Sequence, residues 1–181
     1  MYKAEKVAQM AAFFLAKRGG TMAHVKLMKL LYIADRKSIE EYEYPISYDS
    51  MSSMEFGPVL SSAVDLANGS IADEAWSSWV SPIEDNEVSL QREDMAESDL
   101  GMLSRADLAI LDQVFDEFGN VGRWDVVRMA HEFPEYNDPG ESSYPIHYRE
   151  IFEALDYSAI DARAIESEIN HQKDLHRSNA S

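Results

Sequence analysis

Between Val25 and Asp35 the apolar residues Leu27, Leu30, Leu31 and Ala34 recur at helical spacing, and Met28 and Ile33 widen the stripe beyond one face. A helix apolar over so much of its circumference must be covered from several sides. The spacing therefore predicts a central helix running to about Tyr42, with Thr21 as its N-cap. Its polar positions, Lys26, Lys29, Tyr32 and Asp35, read as the solvated edge of that helix. Upstream, Val7, Met10, Ala11, Phe14 and Leu15 share one face of a first helix, expected from about Tyr2 to Ala16 and stopped by Gly19-Gly20. So short a connection makes the two helices antiparallel neighbours.

Downstream, Pro45 ends helicity, and Ile46 to Met51 reads as an extended segment or loop. Gly57-Pro58 looks like a loop-to-helix junction: Gly57 can take dihedrals closed to other residues, and Pro58 suits a first helical turn. Leu60, Ala63, Val64 and Ala67 line the helix that should follow, to Asn68-Gly69. Trp79–Ile83 and Glu87–Leu90 flank the polar Glu84-Asp85-Asn86 and predict a small hairpin. Residues 91–103 are acidic and irregular, and read as a mobile loop.

Ser104-Arg105-Ala106-Asp107 resembles a capping box opening a helix with Leu108, Leu111, Val114, Phe115 and Phe118 inward. Trp124, Val127 and His131 fall on one face of a short helix stopping before Pro134, which makes His131 a hydrogen-bonded core histidine. Asp138-Pro139-Gly140 marks a turn. Tyr148, Ile151, Phe152 and Leu155 predict another amphipathic helix. Ser158 caps a last one, whose apolar positions (Ile160, Ile165, Ile169, Leu175) are sparse, with 177–181 frayed. The fold class is α+β and predominantly helical, a compact domain around a buried central helix with one small β-hairpin. The expected division is a main domain, 1–157, and a peripheral C-terminal helix and tail, 158–181.

Composition bounds the function. The 181 residues suffice for one well-filled core, and no run approaches the roughly 18 apolar residues of a membrane span. The absence of cysteine removes disulfides and thiolate chemistry, and fits a cytoplasmic setting. A net charge of -17, from 33 acidic and 16 basic residues, argues against a stand-alone nucleic-acid binder and suits a basic protein partner.

No catalytic signature stands out. His131-Glu132-Phe133-Pro134-Glu135 places Glu where a zinc helix needs its second His, and Pro134 would break that turn. Phosphate loops and nucleophile elbows are missing, so neither metal nor cofactor is expected. The rival reading is an enzyme with a shallow carboxylate–His site around Asp35, Glu55 and His131. A transcriptional regulator is a third reading, which the acidity disfavours.

Three segments together resemble the Panacea domain family, also called SocA-like antitoxins. They are Lys26-Leu27-Met28-Lys29-Leu30-Leu31-Tyr32-Ile33-Ala34-Asp35, Glu55-Phe56-Gly57-Pro58-Val59, and Trp124-Asp125 through His131-Glu132-Phe133-Pro134-Glu135. Phe56 stands where that family commonly has Tyr, and Glu135 where it usually has Trp. The likeness spans roughly residues 5–155. It implies a mostly helical domain that neutralises a protein toxin, usually a neighbouring gene product, by direct binding, and in one branch delivers it through ClpX to the ClpXP protease. On that reading Lys26, Lys29, Tyr32, Asp35 and Glu55 are candidates for the toxin interface. Gly57, Pro58, Trp124 and His131 then carry the structural motif.

Overall fold

The computed structural model describes residues 3–178, with side chains to Asp174. Among these are eight α-helices and five short strands. The chain opens with α1 (Ala4–Lys17), β1 (Thr21–Ala23) and α2 (His24–Tyr42), as the hydrophobic stripes require. The predicted start at Tyr2 lies outside the described residues. Gly19 and Gly20, at φ +92° and +103°, turn the chain between the two helices, a conformation glycine adopts without steric penalty. Thr21 does not cap α2: it lies in β1, and its hydroxyl is bonded to Ser89 across the sheet. Helix α2 is covered from several directions, by α1, β3 (Gly57–Leu60), α5 (Arg105–Phe118) and α6 (Arg123–Ala130).

The β structure is larger than one hairpin. Strand β2 (Met51–Met54) lies at the centre of a three-stranded antiparallel sheet, with β3 on one side and β5 (Tyr144–Ile146) on the other. Gly57-Pro58 therefore belongs to a strand, and the helix, α3 (Ser61–Ala67), begins three residues later. Pro58 is tolerated because β3 is an edge strand, where a missing ladder donor leaves no gap. The predicted turn at 84–86 does form, with Asp85 and Asn86 both at positive φ. Its flanks meet only at isolated bridges, however, and β4 (Glu87–Ser89) pairs mainly with β1. A short α4 (Glu74–Ser77) precedes this turn.

The Ser104 capping box forms in both directions. Asp107 N–H donates to Ser104 Oγ at 3.1 Å, and Ser104 N–H to the Asp107 carboxylate at 2.9 Å. Residues 91–103 include a 3-10 turn at Glu97–Asp99, and Leu100 and Leu103 are buried. In α6 the buried stripe is Val126, Val127 and Ala130, so the helix is rotated from the predicted face: Trp124 and His131 are exposed. Helix α7 (Tyr148–Ala154) buries Tyr148, Ile151 and Phe152. On α8 (Ala159–Ser178), Ala162 and Ile169 join the core, while Ile160 is 80% exposed. Arg149–Glu166 and Tyr48–Gln172 contacts join α8 to the body of the fold. The Leu175 side chain and residues 179–181 lie outside the described residues, so the predicted fray is met only by helix at 177–178. Among the described residues no helix is long and apolar enough to cross a membrane.

Candidate functional site

Residues far apart in sequence meet where the β2–β3 hairpin crosses α2 and the end of α6. The hairpin turns at Glu55-Phe56, and Gly57 follows at φ +99°. A Cβ at Gly57 would stand 2.9 Å from His131 Cδ2 and 3.4 Å from Lys29 Cε. Glycine is thus required twice, for its dihedral and for the closeness of its neighbours. Lys29 Nζ donates to the Pro58 carbonyl at 3.0 Å, tying α2 to the hairpin. The His131 ring, exposed on its outer side, stacks on Tyr136 with centroids 4.7 Å apart, and Tyr136 Oη donates to the Met54 carbonyl at 3.1 Å.

Beneath this layer lies a residue that has no local signature of burial. Glu135 is 3% exposed and accepts from Tyr32 Oη and Arg36 Nε, each at 2.7 Å. The Arg36 guanidinium also lies 4.3 Å from the Phe133 ring centroid, so it is gripped on a second side. Every hydrogen-bonding partner in this knot comes from α2 or the 133–136 segment. Only knowledge of the fold brings them together.

The polar residues of α2 are not a solvated edge. Lys26, Lys29, Tyr32 and Asp35 are all at or below 5% exposure. Lys26 Nζ reaches the Gly119 and Val121 carbonyls, both at 2.6 Å, and so satisfies the C-terminal end of α5 with a cation. Asp35 accepts from the Ser47 N–H at 2.9 Å and from the Ser47 hydroxyl. Ser47 Oγ in turn accepts from Asp49 N–H, and the Asp49 carboxylate takes the Ser62 and Ala63 N–H groups at the start of α3. These residues are internal struts, and any part they have in binding is exerted from beneath the surface. Of the five interface candidates, Glu55 alone is exposed.

Asp35 is likewise not assembled with Glu55 and His131 into a shallow catalytic site. Its carboxylate is fully buried and directed at Ser47, whereas Glu55 and His131 lie at the surface. What does lie at the surface over the junction is an aromatic pair: Phe56 at the hairpin tip and Trp124 on α6. Their centroids are 5.8 Å apart, and they are 45% and 55% exposed. Arg123 lies over the Trp124 ring at 5.7 Å. Trp124 reads as core from its spacing, and only the observed rotation of α6 reveals it as surface.

Burial displaces several ionisations toward neutrality, those of Lys29 and Asp35 by a wide margin. Desolvation lowers Lys29 to about 7, and raises Asp35 to about 7 against the opposing hydrogen bonds from Ser47. For Asp35 the folded state keeps a proton that the unfolded chain loses near pH 4, so stability should fall as pH rises from about 4 to 7. For Lys29 the unfolded chain holds the proton that the folded state releases, so stability should rise from about pH 7 to 10. The combined contribution of these two groups to stability is therefore smallest near neutral pH. Urea unfolding of Asp35→Asn beside the native chain at pH 4.5, 5.5 and 6.5 tests the acid limb. The difference between the two proteins should change in favour of the variant by up to about 1.4 kcal/mol per pH unit. A constant difference would show that Asp35 ionises freely in the fold.

A family model described as antitoxin SocA-like, Panacea domain, matches residues 27–136. No curated protein and no solved structure matches the chain. The matched span begins on α2 and ends at Tyr136, and so contains the hairpin, the aromatic pair and the buried Glu135.

Proposed function

This chain belongs to the antitoxin SocA-like, Panacea domain family, and from that premise we propose that it neutralises a protein toxin by binding it through the hairpin-tip surface. The observation that carries the choice of surface is the exposed Phe56–Trp124 pair seated on the junction of the three motif segments. Large aromatics held in place by a rigid support are the usual anchors of protein interfaces, because they cover much area while losing little conformational entropy. Glu55 lies beside them and offers a carboxylate to a basic partner. Lys29 and Tyr32 act indirectly, holding the hairpin and the 131–136 segment from below. Lys26 and Asp35 brace α5 and the 47–49 turn, further from the contact.

The test is growth rescue. Inducing the protein encoded beside this chain should arrest growth, and co-expression of this chain should relieve the arrest. Phe56→Ala with Trp124→Ala should abolish rescue and weaken binding of the purified pair by 100-fold or more, about 3 kcal/mol. Both side chains are about half exposed and neither belongs to the core, so the melting temperature should move little. Full rescue by the double variant would place the toxin elsewhere on the chain.

Delivery of the toxin to ClpXP is the finer mechanism. An adaptor needs a second surface separable from the first, so that it can raise the local concentration of its cargo at the protease. The outer face of α8, where Ile160 is exposed, supplies one away from the seam that α8 forms with α7. Truncation after Tyr157 would strip Ala162 and Ile169 from the core, so it is a poor test of this step. Toxin half-life with purified ClpXP, with and without this chain, is the cleaner measurement. Equal half-lives would leave direct neutralisation as the whole mechanism.

A further inference from the structure

A second surface lies apart from the aromatic pair, between the end of α3, the loop 68–73, α4 and the segment Val80–Ile83. These elements enclose a groove of about 680 Å³. Its floor is core: Leu66, Trp76 and Val80 are at most 4% exposed. Ile71, 46% exposed, and Ile83 line it nearer the solvent. The loop carrying Ile71 is fastened by the Ile71 N–H donating to the Asp65 carbonyl at 3.1 Å, and Asp73 caps α4 through the Trp76 N–H at 3.0 Å. The groove is therefore shaped by fixed backbone. An apolar floor under a half-exposed isoleucine favours an apolar occupant.

Charge says which kind. The ionisable residues of the lining are Asp73 and Glu74, and the residues flanking it in sequence include Asp65 and Glu84. No Lys or Arg is in the lining; Arg92, the cation beside α4, is bonded to Ser78 and lies over the Trp79 ring. A second copy of this chain would bring a net charge of -17 to an acidic rim, which opposes self-association. We propose that this groove docks a short segment of a basic protein, one or two aliphatic side chains filling the floor and flanking Lys or Arg residues reaching Asp73 and Glu74. The site is independent of the hairpin-tip surface.

Fluorescence polarisation on the full chain tests it, with three labelled peptides of equal length: Leu/Lys, Leu/Glu and Ser/Lys. The Leu/Lys peptide should bind saturably with Kd of order 10 µM, and the other two at least about tenfold more weakly. Its affinity should fall with salt. Ile71→Asp should weaken it by about tenfold or more, as should Glu74→Lys, a fully surface change that serves if the first variant folds poorly. Phe56→Ala with Trp124→Ala should leave it unchanged. Equal binding of the Ser/Lys peptide would mean charge attraction alone, and loss in the Phe56/Trp124 variant would mean the other surface; either overturns the proposal. So would no saturable binding, indifference to both groove variants, or a concentration-dependent dimer in sedimentation that Ile71→Asp abolishes.

Discussion

Glu135→Ala should lower stability by about 3–5 kcal/mol, the largest effect expected of any single substitution in the junction. The carboxylate is the acceptor for both Tyr32 and Arg36; Tyr32 and Glu135 are buried, and the Arg36 side chain is only 12% exposed. Removing it leaves a hydroxyl and a guanidinium desolvated without their partner, and that penalty exceeds the net worth of the intact pair. In a chain of this size the melting temperature should drop by roughly 10 °C. Glu135→Gln keeps an acceptor for Tyr32 while discarding the charge, so it should fall between the native chain and the alanine variant. Calorimetry of the three proteins measures the series. A Glu135→Ala melting temperature within about 2 °C of native would mean that the knot opens and rehydrates at little cost.

Gly57→Val should destabilise by about 3 kcal/mol, from two separable sources. At φ +99° a β-branched residue is strained wherever it sits, and the new Cβ would also meet the His131 ring at 2.9 Å. His131→Ala in the same chain should relieve the second source and leave the first. Gly57→Val/His131→Ala should therefore recover part of the loss, and a double-mutant cycle by urea unfolding isolates the coupling. Additive effects would show that His131 moves aside freely, leaving only the dihedral strain. Gly69→Val, at φ +77° with open space around it, gives the strain alone for comparison.

The helices were largely legible because their causes are local. The stripes of α1, α2 and α5, the two glycines after α1 and the Ser104–Asp107 box each lie within a few residues of the structure they produce. The β2–β3 hairpin was hidden because Met51-Ser52-Ser53-Met54 lacks the β-branched and aromatic residues that mark strands. Strand β2 owes its order instead to being held between β3 and β5. Pro58 misled for the same reason, since an edge strand and a helix start tolerate proline equally well. At the site the difficulty is sharper. Burial of Glu135 depends on Arg36 and Tyr32, about a hundred positions earlier, and a charged residue after proline reads locally as solvent-facing. The lysines and aspartate of α2 are misjudged in the same way: their partners are carbonyls and a serine from other elements.

The three-stranded sheet also bears on when, during synthesis, the protein can become competent. Its central strand waits for β5, whose residues 144–146 pair with Met51–Ser53, and the hairpin tip waits for Trp124, His131 and Tyr136. A ribosome-bound chain that has exposed only its first hundred residues has α1, the hairpin sequence and Lys29 on α2, but lacks the Trp124, His131 and Tyr136 side chains that complete the support of the tip. Such distant pairings form late and slowly, because the intervening chain must be closed first. Translation thus imposes a delay between the first appearance of Phe56 and its seating against Trp124. On the proposed function, a toxin that folds through nearer contacts would be ready first, and continuous resupply of completed chains, rather than rescue by nascent ones, would then keep it in check.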